Sequence, residues 1–207
     1  FITSKILAIH QGRCFPVDKT DKQSLILQEA SHYLPYTHPS GMNVNLTITD
    51  NMLAPAAGID ESNAHGHYVL WPQGTDELCR AIRAYLCQKN GIKNLGVIST
   101  DSHTMPLRWG VTGITTGLAG VEPLKDYRGT VDLFGRQIRL TQINQIDPLT
   151  SMAVLLMGES DEQTPMLLLR GYDKINFNEN AGMGGFKISP EEDLYGPLLK
   201  AMKKVEK

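Results

Sequence analysis

Three carboxylates stand out for the chemistry their positions would allow: Asp60 in the run AAGIDESN, Asp101 in ISTDSH and Glu159 in MGESDE. Acidic groups carried to element ends by separate parts of a chain are how proteins assemble oxygen ligands for a hard cation such as Mg²⁺ or Mn²⁺, which also takes phosphate oxygens from a substrate. An aspartate at a strand end serves equally well as a turn or helix cap, so spacing alone leaves both roles open. His65, His67 and His103 offer imidazoles, but His65-Gly66-His67 lacks the helix-borne spacing of a zinc motif. The segment 99–102 lacks the G-x-S-x-G elbow of a hydrolase. The glycine-rich stretch 110–120 contains no G-x-x-x-x-G-K-[ST] and no strand-then-helix setting of the dinucleotide-binding kind, which speaks against P-loop and Rossmann sites.

The elements that must position these groups follow from periodicity. Residues 1–9 are rich in Ile and predict a buried strand ended by the turn at Gln11, Gly12 and Arg13. A short helix is expected over 24–33. Val44, Leu46 and Ile48 alternate with Asn45, Thr47 and Thr49, predicting a half-buried strand that runs toward Gly58 and Asp60. Thr75 as N-cap, with Asp76 and Glu77 in the first turn, opens a helix that Asn90 and Gly91 stop. Residues 95–100 (LGVIST) then form a short apolar strand delivering Asp101, Ser102 and His103 at its carboxyl end, where open α/β sheets place ligand-binding groups. Residues 131–141 predict a hairpin around Phe134, Gly135 and Arg136, and Asp147 with Pro148 opens a helix through Met157, with Glu159 just beyond. Residues 164–170 read as a strand. Ser189, Pro190, Glu191 and Glu192 form a capping box opening a helix to about Lys204. With no internal repeat and no low-complexity linker, the expectation is a single mixed α+β domain over residues 1–207.

Composition narrows the partners. Twenty basic and 22 acidic residues give a net charge of −2 with no long run of one sign, which removes the electrostatic footprint of a nucleic-acid or anionic-membrane binder. An apolar content of 41% with 20% charged residues is that of a folded soluble protein. Cys14, Cys79 and Cys87 lack CxxC spacing, which argues against a disulfide framework or structural zinc and makes a reducing cytoplasm the simplest compartment. None has a basic neighbour at a loop tip, so they read as core or helix-face residues. The apolar runs 152–157 and 166–169 fall far short of the roughly 20 residues that cross a bilayer. Because the sequence opens at Phe1 inside a strand-like stretch, it reads as an N-terminally incomplete version of a longer protein.

Several motifs in one order carry a resemblance. TSK at 3–5, GIDESN at 58–63, ISTDS at 98–102 with Pro106 and Arg108, GLAGVEPLKDYRG at 117–129 with DLFGR at 132–136, then MGESDE and LLRG together resemble the coenzyme F-420:L-glutamate ligase family over residues 1–171. The resemblance implies an α+β, mixed-sheet γ-glutamyl ligase fold in an intertwined homodimer. It also implies a GTP-dependent, amide-forming ligase that uses two divalent cations, Mn²⁺ or Mg²⁺, with K⁺. Such an enzyme phosphorylates the carboxylate of a deazaflavin precursor and lets the amino group of L-glutamate attack the acyl phosphate.

By the same resemblance Asp60, Asp101, Ser102 and Glu159 are the metal positions. Ser4, Lys5, Asn63, Gly158, Ser160 and Asp161 are nucleotide-binding. The sequence departs from the family pattern at Ile9, where a nucleotide-binding lysine is expected, and at Gln11, where a glutamate is expected. Met105 replaces an arginine and Gly113 an aspartate. These changes keep two alternatives open: a folate-type acceptor in place of the deazaflavin, and a catalytically lapsed homologue that binds nucleotide or metal.

Overall fold

A computed structural model describes residues 1–206 of the chain. In order, the elements of its first third are β1 (Ile2–Thr3), α1 (Ser4–His10), β2 (Cys14–Pro16), α2 (Lys22–Glu29), β3 (His32–Thr37), β4 (Asn43–Thr49), β5 (Met52–Pro55) and β6 (His67–Val69). There follow α3 (Thr75–Asn90), β7 (Val97–Thr104), β8 (Val111–Val121), β9 (Leu124–Asp126), β10 (Gln142–Asn144) and α4 (Ile146–Met157). The chain ends with β11 (Phe177–Asn178), α5 (Gly196–Leu199) and β12 (Lys203–Lys204). The architecture is α+β with mixed sheets, as expected, and falls into two compact units: residues 1–4 with 74–186, and residues 5–73 with 187 onward. Among the described residues no helix is long and apolar enough to cross a membrane.

The first unit is built on a sheet in the order β1-β7-β8-β11, with β1 parallel to β7 and β8 antiparallel to it. β7 extends to Thr104 because the eleven residues of β8 supply a partner along its length. Asp101, Ser102 and His103 therefore lie inside a strand rather than beyond its tip, a correction to the sequence reading. The glycines of β8 are packing devices. A Cβ at Gly117 would lie 2.5 Å from Thr75 Cβ, and one at Gly113 would lie 2.5 Å from the Thr150 carbonyl oxygen, so α3 and α4 each close directly onto this strand. Ile98, Leu118 and Ile146 share one core with Ala181 and Met183, while Cys79, Val97 and Ala119 form another.

Two further expectations change in this unit. Thr75 is the first helical residue of α3, not its cap. Gly74 takes that place in the left-handed region (φ 59°), which frees the Thr75 hydroxyl to bond another element. The C-terminal stop at Gly91 (φ 64°) is as expected. Residues 164–170 make the isolated bridge Ile2↔Met166 in place of a strand ladder, with Thr3 N–H bonding Pro165 O, Leu167 N–H bonding Phe1 O and the Phe1 ammonium bonding Leu167 O beside it. The expected hairpin around Phe134, Gly135 and Arg136 is present: Val131 bridges Gln137 antiparallel, the Asp132 carboxylate accepts the N–H groups of Phe134 and Arg136, and the pairing continues outward into β9 and β10.

The second unit carries an antiparallel sheet in the order β12-β3-β4-β5 and a β2-β6 pair. Residues 4–10 are helical, not extended. Their buried side chains, Ser4, Leu7 and Ala8, recur at i, i+3 and i+4, so burial on one face overrides the strand preference of the isoleucines and leaves Ile6 and Ile9 exposed. Asp21 caps α2 by accepting the Ser24 N–H at 2.9 Å, and Tyr33 already belongs to β3. The predicted strand at 44–49 is β4. Its hairpin partner β5 is turned by Asp50 and Asn51, both at positive φ (47° and 62°) as a two-residue hairpin loop demands. Neither the capping box at Ser189 nor the long helix forms: the Ser189 hydroxyl donates to the Glu192 side chain at 3.2 Å, and the Glu192 and Asp193 N–H groups close a turn on the Ser189 carbonyl. Pro197 lacks the donor a continuing helix needs, and Lys203–Lys204 pair with β3.

Candidate functional site

The site residues are described unit by unit. In the second unit, the chain leaves β5 through three consecutive left-handed residues, Ala56, Ala57 and Gly58 (φ 50°, 55° and 70°). Only glycine fits the last of them, since a Cβ there would come within 2.2 Å of the Trp71 indole. Asp60 is then fixed by a reciprocal backbone pair with Val69, N–H to O at 3.0 Å and 2.8 Å. Its carboxylate lies 2.6 Å from Lys5 Nζ and accepts the Ser62 N–H (2.8 Å) and the Ser62 hydroxyl (3.0 Å). Lys5 donates as well to the Ser62 carbonyl at 2.5 Å. Partial burial would raise the Asp60 pKa. The hydrogen bond from Lys5, the bonds from Ser62 and the Lys5 charge together outweigh it and hold the group below the ordinary carboxylate value. Asn63 follows in the same turn at φ 51° and is exposed. Lys22 sits 2.5 Å from Glu61 and 5.2 Å from the Tyr68 ring centre, so two ammonium groups flank the one turn.

Asp60 thus takes the first of the two roles left open by its spacing: its ionised carboxylate caps its own turn and pairs with Lys5. Lys5 and Asp60, separated by 55 residues in sequence, are brought together, which sequence spacing could not show. Ser4, adjacent to Lys5, is 4% exposed at the start of α1. Ile9 and Met105, the apolar residues at expected basic positions, are about half exposed, at 48% and 53%.

In the first unit, Asp101 stands opposite Ile114 in the ladder and Ser102 opposite Gly113. As strand neighbours they send their side chains to opposite faces, and the Asp101 carboxylate accepts the Ser102 N–H at 2.8 Å. His103 next along is held below the usual imidazole value by burial, against an opposing pull from Asp147. The far edge of β8 is occupied by side chains from two helices. Thr75 donates to the Thr116 carbonyl (2.7 Å), Asp76 accepts the Leu118 N–H (3.0 Å), Asp147 accepts the Thr115 N–H (3.0 Å) and Ser151 donates to the Gly113 carbonyl (2.9 Å). These four supports were missed as such from sequence, where Thr75, Asp76 and Asp147 looked like caps. Cys79, beneath this sheet, is a buried thiol whose pKa desolvation pushes up to about 12, in keeping with its reading as a core residue.

The segment after α4 turns on Gly158 (φ 83°), whose N–H bonds Val154 O at 2.9 Å. The Glu162 side chain folds over it, accepting the Ser160 N–H at 2.8 Å, while Glu159 and Asp161 are exposed. The oxygen donors of Asp60, Asp101, Ser102 and Glu159 suit a hard divalent cation by chemistry. Within neither unit, among the described residues, do three or more His, Cys, Asp or Glu side chains gather to hold a metal ion.

A sequence model described as F420-0:Gamma-glutamyl ligase matches residues 1–171. The coenzyme F420:L-glutamate ligase of Methanocaldococcus jannaschii is 36% identical over 170 residues, covering 82% of this chain and 65% of the relative. That of Methanopyrus kandleri is 40% identical over 125 residues, covering 60% and 49%, respectively. That of Archaeoglobus fulgidus is 35% identical over 145 residues, covering 70% and 57%. The chain spans about half to two thirds of the length of these curated relatives. The matched stretch contains Lys5, Asp60, Asp101 and Glu159 together with the elements that carry them, and the chain belongs to the F420-0:gamma-glutamyl ligase family.

Proposed function

We propose that the protein is a γ-glutamyl ligase that joins L-glutamate to the carboxylate of a coenzyme F420 precursor, with GTP as phosphoryl donor. The observation that carries this reading is the Lys5–Asp60–Ser62 turn. It sets an ammonium and an ionised carboxylate 2.6 Å apart within the family match, as a site that handles phosphate and its counter-ions requires. In the reaction proposed, an acceptor carboxylate oxygen attacks the γ-phosphorus of GTP and GDP leaves. The amine nitrogen of glutamate then attacks the acyl carbon, loses a proton and expels phosphate. Lys5 supplies a point charge for phosphate oxygens, and Asn63 presents its side chain from the same turn. The segment around Gly158, Ser160 and Asp161 supplies the second nucleotide contact. Divalent cations, Mn²⁺ or Mg²⁺ with K⁺ assisting, would be held by Asp60, Asp101, Glu159 and residue 102, and would neutralise triphosphate charge that otherwise repels an anionic nucleophile.

The family's homodimer is part of this proposal. It is supported by apolar side chains left almost wholly in water at two tips, Leu107 and Trp109 (96% and 102% exposed) and Leu133 and Phe134 (97% and 94%). Three free thiols fit the reducing cytoplasm as its place of work. Titration calorimetry with Mn²⁺ and GTP tests the site. The unsubstituted chain is expected to bind GTP only with the metal present, and Asp101→Ala to abolish that binding. Unchanged GTP binding by Asp101→Ala overturns the assignment. Transfer of radiolabelled glutamate to an F420 precursor, and not to a folate, tests the acceptor. The exposed, apolar Ile9 and Met105 favour the lapsed homologue as a second reading, and GTP binding without label transfer to either acceptor would establish it.

A further inference from the structure

The ladder between β7 and β8 changes phase once. Ser99 pairs with Gly117, but Thr100 pairs with Thr115, so Thr116 is an extra residue on β8 with no partner across the ladder. Bulges of this kind bend a strand and re-aim the side chains beyond them. Without it, Thr115 would stand opposite Asp101 and Ile114 opposite Ser102, exchanging the faces of every residue from the bend to the hairpin. Thr116 is 2% exposed and Ser99 0% exposed, and their hydroxyls meet at 2.7 Å, joining the two strands at the bend. The Thr116 carbonyl accepts the Thr75 hydroxyl, and the amides on either side, at Thr115 and Leu118, are held by Asp147 and Asp76. A valine would fill the same volume. It would not make the hydroxyl pair, which lies buried at the one irregular place in the ladder, two residues before Asp101.

We infer that Thr116 is a positioning residue that sets the direction of the Asp101 end of β7 through this bulge, and through it the geometry of cation binding. The second half rests on the reading of Asp101 given above. The experiment uses the full chain with Thr116→Val, Thr116→Ser, and the double variant Ser99→Ala with Thr116→Val, which leaves no hydroxyl orphaned. Amide hydrogen exchange is followed at residues 101–104 and, as reference, at Leu118 and Ala119. Mn²⁺ affinity is read by titration. Thr116→Val and the double variant are expected to speed exchange at 101–104 about tenfold without moving the reference amides, and to weaken Mn²⁺ binding about tenfold, the scale of losing an outer support of a metal ligand. Thr116→Ser is expected to restore both.

Exchange that is unchanged at 101–104, or that rises equally at the reference amides, overturns the positioning role. Mn²⁺ affinity equal to that of the unsubstituted chain overturns the link to the cation. If the unsubstituted chain itself binds no Mn²⁺, the cation reading of Asp101 fails and takes that link with it, while the exchange result still decides the bulge.

Discussion

Asp60 and Asp101 hold the same kind of group by opposite means. Around Asp60 the support is local and ionic: left-handed backbone before it, the N–H and hydroxyl of Ser62 just after it, and the Lys5 ammonium on the carboxylate itself. Around Asp101 the support comes largely through the sheet: a bulge locked by hydroxyls, with the far edge of its partner strand gripped by hydroxyl and carboxylate side chains from two helices. A group carried on a short turn must store its geometry in backbone conformation and charge. A group carried on a strand inherits its geometry from the sheet, so residues far from it in sequence decide where it points.

The largest expected effect breaks the local arrangement. Gly58→Ala forces a Cβ into the Trp71 ring at a positive φ, and urea unfolding should show a loss of about 3 kcal/mol. A loss below about 1 kcal/mol would mean the turn adapts freely and the contrast is weaker than drawn. Next, Thr75→Val leaves the Thr116 carbonyl without its donor and should cost about 1.5 kcal/mol in the same measurement, with the helix content by circular dichroism unchanged.

Lys5→Met is expected to cost less, about 0.5 kcal/mol near neutrality, since the Asp60 side chain is 44% exposed and the pair is screened. Its signature is the pH dependence. The folded Asp60 pKa lies below the unfolded one, so its contribution is complete above the ordinary carboxylate range and is lost as pH falls through the folded value. Removing Lys5 should move that acid-side loss to higher pH, and stability profiles that superimpose between pH 2 and 6 would sink the ionic account. Smallest of all, Ser102→Ala should change stability by less than about 0.5 kcal/mol, because the Ser102 bond to Asp101 uses its backbone N–H. A larger drop would assign its hydroxyl a structural role.

The contrast also explains what could be read from the sequence. α3 and α4 were legible from the residues at their ends and β4 from its alternating residue types, although the fold buries Thr47 and Thr49 along with Ile48, and the motif around Asp60 was legible because its residues are contiguous. The helix at 4–10 was not, since isoleucines favour strands and only burial of Ser4, Leu7 and Ala8 decides otherwise. Nor were the supports of β8. Thr75 and Asp76 have the residue types of a helix cap, and nothing periodic marks a side chain that bonds the backbone of another element. Lys5 meeting Asp60 belongs to the same class of fact, visible only once the chain is folded.

The chain's two tryptophans sit at opposite extremes: Trp71, 7% exposed, lies against Gly58 in the turn before Asp60, while Trp109 stands fully in water beyond β7. Their emissions separate by solvent, with Trp71 blue-shifted and shielded from acrylamide and Trp109 red-shifted and quenched. The molecule therefore carries two built-in optical reporters: one reads the integrity of the turn, and the other reads whether the hairpin tip stays in water.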